Sequence, residues 1–269
     1  MRRLDELIAE LCPEGVEYKT LGDIATDIYR GSGITRNQVT EEGIPCVRYG
    51  EIYTEYGIWF DQCVSYTNES GISNRKYFEY GDILFAITGE SVEDIAKSCA
   101  YVGSEKCLAG GDIVVLKHNE DPKYLSYVLS TSEARKQKSK GKIKSKVVHS
   151  SVPAIKEIKV PVPPLEVQRE IVQILDKFRL LSAELSARIK QYEYYRNKML
   201  IFTDKTKKLP LSEIADVFRG DYITKKGSTV GNIPVILGGK EPAYYIDKAN
   251  HDGEIVVIAS FRFRSIGIF

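Results

Sequence analysis

The sequence predicts an α+β chain in which a strand-rich domain is joined by a long coiled-coil helix to a partial second copy of the same domain. Three observations carry this expectation. Short β-branched and aromatic runs bounded by Gly, Asn or Asp fill Ile24 to Leu116, the pattern of strands closed by turns. From about Glu166 to Thr203, apolar residues recur at alternating spacings of three and four, which is a helical seam. Blocks of the first segment then return: Leu21 to Ala25 (LGDIA), Arg30-Gly31 and Ile34-Thr35 come back as Leu211 to Ala215 (LSEIA), Arg219-Gly220 and Ile223-Thr224, offset by about 190 residues. Gly43-Ile44-Pro45 likewise pairs with Asn232-Ile233-Pro234, and Gly81-Asp82-Ile83-Leu84 with Gly253-Glu254-Ile255-Val256, where the offset narrows to about 172. This fits a duplicated domain with one loop trimmed and is far too long for a solenoid repeat. The expected division is 1–160 for an N-terminal helix and the first domain, 161–205 for the spacer helix, and 206–269 for an incomplete second domain.

Taken in order, Leu4, Leu7, Ile8 and Leu11 fall at helical spacing, and Pro13 with Gly15 stops that helix. Strands are expected over Ile44 to Tyr49, Gly57 to Tyr66, Asp82 to Thr88, Ser98 to Val102 and Asp112 to Lys117. Asp121-Pro122 opens a helix whose apolar stripe is Tyr124, Leu125, Val128 and Leu129. Arg135 to Lys146 then reads RKQKSKGKIKSK, with lysine at every second position. In an extended backbone Lys136, Lys138, Lys140, Lys142, Lys144 and Lys146 present a row of ammonium groups, with Gly141 letting the chain bend. Such a row suits a phosphate backbone, because neutralised phosphates release counterions; a solvated lysine loop accounts for the charge equally well. Ile155, Ile158 and Val160 lead into Pro161-Val162-Pro163-Pro164-Leu165, whose prolines impose an extended lead-in to the long helix. Ile171, Ile174, Phe178, Leu181, Leu185, Tyr192, Tyr195 and Met199 form its seam, interrupted near Arg188 and Ile189. At ~1.5 Å per residue the helix measures on the order of 55 Å, more than a compact domain needs, so it is expected to pack on another long helix.

Composition excludes more than it selects. Apolar residues make up 43% and charged residues 28%, ordinary for a globular chain. The net charge of +1 argues against a wholesale basic nucleic-acid binder but permits a local basic face. Five cysteines without C-x-x-C spacing suggest reduced thiols rather than a disulfide framework or zinc ribbon. No apolar run is long enough for a signal peptide or a membrane span, and a cytoplasmic protein is expected. His118, His149 and His251 are isolated and read as surface or loop residues rather than metal ligands.

The block VPVPPLEVQREIVQILDKF at Val160 to Phe178, the preceding SSVPAIKEIKVP and the twice-used opening LGDIA/LSEIA with Arg-Gly after it resemble the specificity subunits of Type I restriction-modification systems. Gln168, Ile171 and Leu175 after the proline-leucine lead-in are the more specific part; Gly81 to Phe85 and Thr88-Gly89 are supporting. The resemblance implies a non-catalytic subunit with two target-recognition domains held apart by antiparallel helices, each domain reading one half of a split sequence in double-stranded DNA. It further implies methyltransferase partners that modify adenine and, through them, restriction and motor subunits. No cofactor and no metal are expected in this chain, which has no Walker A run, no Asn/Asp-Pro-Pro-Tyr/Phe motif and no His/Cys cluster.

On that reading the DNA-binding candidates are Arg30, Ser32, Thr35, Arg36 and Asn37 in the Gly-rich loop, then Arg48, Tyr49, Arg75, Lys76 and Thr88, with Lys140, Lys142, Lys144 and Lys146 for phosphates. The seam residues are the subunit-interface candidates. A family member is expected to continue into a second helix antiparallel to the first. The ending at Phe269 therefore leads to the expectation that the helix is covered by a second copy, giving an antiparallel homodimer, or by a partner subunit; a truncated remnant and a coiled-coil scaffold without nucleic-acid contact are the alternatives. A metal-dependent nuclease using Glu157 and Lys159, in the Glu-x-Lys form, with Asp112 or Asp121 upstream, is the enzymatic alternative.

Overall fold

A computed structural model describes residues 2–140, 147–202, 207–221, 224, 229–237, 241–251, 253 and 255–257. The chain divides into two compact units, Met1–Glu193 and Tyr194–Phe269. The dividing point falls inside the long helix.

In the first unit α1 (Arg2–Leu11) ends at a turn closed by Gly15, whose φ of 94° is readily adopted only by glycine. β1 (Tyr18–Thr20) runs into α2 (Leu21–Ile24), which is held by a reciprocal cap: the Asp23 amide donates to Thr20 Oγ1 at 3.1 Å and the Thr20 amide to Asp23 Oδ2 at 3.0 Å. There follow β2 (Ala25–Arg30), β3 (Val39–Thr40), β4 (Ile44–Val47), α3 (Tyr49–Thr54), β5 (Trp59–Phe60), β6 (Ser65–Thr67), β7 (Tyr77–Phe78), β8 (Ile83–Ala86), β9 (Thr88–Gly89), β10 (Ser98–Tyr101), β11 (Cys107–Ala109) and β12 (Ile113–His118). α4 (Pro122–Leu129), α5 (Ser132–Ser139), β13 (Val148–His149), α6 (Val152–Lys156), β14 (Lys159–Pro161) and α7 (Leu165–Leu200) complete it. α4 begins as its sequence requires: Pro122 opens the first turn and Asp121 Oδ1 accepts from the Tyr124 amide at 2.9 Å.

The strands form two five-stranded sheets, ordered β2-β12-β8-β10-β5 and β3-β6-β4-β11-β7. Pairing is antiparallel except for β10 with β5 and β4 with β11. The first sheet is buried on both faces. Leu84, Ala86, Cys99, Tyr101, Ile113 and Val115 point one way, onto Val47, Phe78, Cys107 and Ala109 of the second sheet. The alternating Ile83, Phe85, Ala100, Val114 and Leu116 point the other way, onto Leu125, Leu129 and Ile155 of the helical layer and Val160 of β14. Continuous apolar runs such as ILFA and IVVL are what a doubly covered sheet demands.

Two sequence expectations change here. The alternating lysine row does not hold at its start, because Thr131 caps α5 and the Ala, Arg, Lys and Gln that follow are good helix formers. Lys136 is exposed there, whereas Lys138 turns inward, its Nζ donating to Ser98 Oγ and to the Leu129 carbonyl at 2.9 Å each. Lys142, Lys144 and Lys146 lie outside the described residues. Of the histidines, His118 departs from a surface or loop position, ending β12 half-buried, whereas His149 in β13 is exposed. The free cysteines are all buried.

α7 is seated only at its start. Val167, Gln168 and Val172 are buried and Ile171 and Ile174 half-buried, but from Lys177 onward every residue of the helix is exposed, including Phe178, Leu181, Leu185 and Tyr192, with Tyr195 and Met199 beyond the unit boundary. In the second unit, a turn at Leu211–Glu213 carries the Ala215 amide bond to the Leu211 carbonyl, as Ala25 does with Leu21. There β15 (Ile233–Val235) pairs antiparallel with β16 (Tyr244–Ile246), matching Ile233 with Ile246 and Pro234 with Tyr245. In the first unit β4 likewise pairs antiparallel with a later strand, β6, matching Ile44 with Thr67 and Pro45 with Tyr66.

Two measurements test this packing. Phe85→Ala empties a fully buried site facing the helices and is expected to cost about 3–5 kcal/mol, read as a lower urea midpoint. Burial lowers the Lys138 ammonium from its ordinary 10.5 to about 7, with Arg135 adding to the effect. The unfolded chain therefore holds an extra proton between those values, so the stability of wild type relative to Lys138→Met should rise from pH 7 toward 10.5 and stay flat below 7. A stability difference independent of pH contradicts the buried-ammonium account.

Candidate nucleic-acid interface

Antiparallel pairing within the first sheet brings the C-terminal ends of β2 and β8 beside the N-terminal end of β12. The second sheet contributes the C-terminal ends of β4 and β11 and the start of β7. Glycines let these segments cross at contact distance. A Cβ at Gly31 would stand 2.2 Å from the Gly110 carbonyl oxygen, and one at Gly110 would stand 2.8 Å from that of Val47. The crossing is locked by the Ser32 amide to the Ala109 carbonyl and the Gly110 amide to the Val47 carbonyl, both 2.8 Å. The result is one rim of the sandwich at which Arg30–Asn37, Arg48–Tyr49, Asn74–Lys76, Thr88 and Gly110–Asp112 meet.

Most of the expected residues stand on that rim, in different roles. Arg30, at the end of β2, forms an ion pair with Asp112 and donates to the Gly111 carbonyl. Ser32 is buried and its hydroxyl donates to the Asn74 carbonyl, so it fastens two loops together and is not exposed for contact. Thr35 and Gln38 bond to each other, the Thr35 amide donating to Gln38 Oε1 at 2.9 Å, and hold a short turn on which Arg36 and Asn37 are exposed. Arg48 Nε donates to Glu51 Oε1 at 2.9 Å, and the buried Glu51 also accepts from Ser65 Oγ at 2.7 Å, which orients the guanidinium; Tyr49, next in the chain, is exposed. Thr88 Oγ1 lies 3.2 Å from His149 Nδ1 across the β9–β13 pair. Since β13 follows the lysine segment and the exposed Lys140 closes α5, both described flanks of that segment are anchored in the domain.

Arg75 and Lys76 open onto a shallow cleft with Asp27, Tyr29, Tyr77, Glu79, Lys106 and Lys117. Lys76 lies over the Tyr29 ring at 5.5 Å and Lys106 over the Tyr77 ring at 4.5 Å. Lys117 is already neutralised, 2.8 Å from Glu79 and 3.0 Å from Asp82. Burial alone would lower its ammonium, but those bonds outweigh it and hold the group above its ordinary value.

Sequence reasoning missed Asn74, Lys106, Tyr29 and Tyr77, and gave Asp112 a different role. The Gly110-Gly111 pair before the β12 run and the Ser-Asn-Arg-Lys segment before β7 are the signals that could have found them. Of the residues in the nuclease alternative, Asp112 pairs with Arg30 and Asp121 caps α4 through their carboxylates, whereas Glu157 and Lys159 are exposed and bonded there through their backbone amides.

The sequence matches the family described as the Type I restriction modification DNA specificity domain over residues 13–192. It is 34% identical over 113 residues to the Type I restriction enzyme EcoprrI specificity subunit of Escherichia coli, spanning 36% of this chain and 28% of that one. Over 58 residues it is 47% identical to the EcoR124I/EcoR124II specificity subunit of Escherichia coli, spanning 18% of this chain and 14% of that one. In fold it is similar to the S subunit of a Type I restriction-modification system from M. genitalium, with a TM-score of 0.53 and 15% identity, spanning 88% of this chain and 64% of that one. The chain thus spans well under half the length of its Escherichia coli relatives. Matched over most of its length, from the first strands through the exposed part of the long helix, this protein belongs to the Type I restriction modification DNA specificity domain family.

Proposed function

We propose that this chain is the non-catalytic DNA-reading subunit of a cytoplasmic Type I restriction-modification complex. It directs adenine methylation, and restriction, by partner subunits to a split target in double-stranded DNA. The observation that carries this reading is the rim: loops from both sheets meet there with Arg36, Asn37, Tyr49 and Arg75 exposed, residue types suited to base edges and phosphates. Arg30, Arg48, Thr35, Lys76 and Thr88 act in this reading as oriented contacts, and Ser32 as a fastener of the loop. Lys140 supplies a phosphate contact in this reading, as do Lys142, Lys144 and Lys146, which lie outside the described residues.

The repeated sequence blocks, with Ile233-Pro234 and Ile44-Pro45 each in a strand paired antiparallel to a later one, support an incomplete second recognition domain over 206–269, with 1–160 as the N-terminal helix and first domain and 161–205 as the spacer helix. The exposed seam Phe178, Leu181, Leu185, Tyr192, Tyr195 and Met199 is the proposed surface for partner subunits or a second copy of the chain. Ile171 and Ile174 are half-buried against their own domain and belong to its packing.

Sequencing methylated adenines in cells that carry the chain with a modification subunit tests the reading: a split motif is expected, and its absence sinks the proposal. Arg75→Ala or Arg36→Ala should relax one base position and weaken binding by about 1–3 kcal/mol. Lys140→Ala should instead weaken all sequences alike and lower the salt slope of binding by about 1 in a titration of the complex on duplex DNA. Leu181→Asp with Leu185→Asp should abolish association with the modification subunit in sedimentation, while the melting of the first unit changes by no more than about 0.5 kcal/mol, because both side chains are exposed.

A further inference from the structure

The first turns of α7 are tied to the back of the recognition domain by one cluster whose composition differs from the apolar seam. Trp59, at the end of the first sheet, has Lys123 Nζ 4.0 Å from its ring centroid and Arg179 Cζ 4.5 Å from it. Asp176 joins the two elements: Lys123 Nζ donates to its Oδ2 at 2.8 Å and Tyr127 OH to its Oδ1 at 2.7 Å. Arg179 also lies over Gly57, where an added Cβ would meet its guanidinium at 3.5 Å. About two turns nearer the start of the helix, Gln168 is buried, accepting from the Asp121 amide at 2.9 Å and donating to Glu120 Oε2 at 2.6 Å and to the Pro163 carbonyl at 2.8 Å. Arg179 lies where the helix has become exposed, which it is from Lys177 onward.

This inference rests on the DNA-reading proposal. We propose that Trp59, Asp176 and Arg179 are positioning residues that fix the angle between the reading domain and α7, and so select the spacer length of the split DNA site. Between Arg179 and Glu193 the helix runs ~21 Å, so a tilt of about 10° at the clamp displaces it by ~3.6 Å at Glu193. That is close to the ~3.4 Å rise of one base pair, so a loosened clamp admits neighbouring spacer lengths. The cluster is built for stiffness: the Trp59 ring is fixed in the helical-layer core, the carboxylate is held by two donors, and the planar guanidinium lies near the ring.

Mapping methylated adenines in cells carrying the full chain with a modification subunit separates this inference from the reading beneath it. A wild-type chain that yields no split motif refutes the DNA-reading proposal itself. With a wild-type motif in hand, Arg179→Ala and Asp176→Asn are expected to keep the half-site bases and to spread methylation over at least one neighbouring spacer length. Arg179→Lys, which keeps a cation at the ring, is expected to keep the single spacer. An unchanged single spacer in both loosened variants overturns the inference, as does loss of the half-site bases together with the spacer. Complete loss of methylation in Arg179→Ala also counts against it, because this exposed side chain is not needed for the core to form.

Discussion

Everything else in the first unit depends on the central sheet being buried on both faces. β8 and β12 have no solvent side: Ile83 to Ala86 and Ile113 to Leu116 are all fully buried. A sheet of that kind needs a second layer on each side. One cover is the second sheet, reached by Leu84, Ala86, Ile113 and Val115; the other is the helical layer, reached by Ile83, Phe85, Val114 and Leu116. Because both faces are occupied, the polar loops collect at the strand ends. Gly31 and Gly110 then let the loops of the two sheets touch, and the rim becomes one continuous surface.

The same constraint explains how α7 is held. The helical layer that covers the central sheet includes Leu125 and Leu129 of α4, and α4 is what the first turns of α7 grip through Lys123, Tyr127 and the Asp121 amide. A rigid path therefore runs from the rim through the central sheet and α4 to the helix. Past Arg179 the apolar seam faces solvent, at a cost of roughly 25 cal/mol per Å² of apolar surface relative to a covered state. That cost favours an assembly in which another chain covers the seam.

How much of this could be read in the sequence varies with the physics of each element. β8, β12 and α7 were legible because a continuous apolar run and a seam spaced by three and four are local patterns. The extended lysine row was misjudged at Lys138 because alternation in sequence does not reveal a helix whose cap, Thr131, lies upstream. The burial of Ser32 and the pairing of Arg30 with Asp112, 82 residues away, were invisible for a different reason: both depend on which distant segments become neighbours. Arg36, Asn37 and Arg75 were legible as exposed loop residues, but their gathering on one rim follows only from the topology.

The central claim is that the rim, and not the helical back of the domain, meets the DNA. Hydrogen exchange of the complex with and without a duplex carrying the methylated motif tests it most directly. The account predicts slowed exchange at residues 31–38, 48–50 and 73–76, with α4 and the Trp59 region unchanged. Protection confined to α4 and the start of α7, with the rim exchanging as in the free protein, would contradict it.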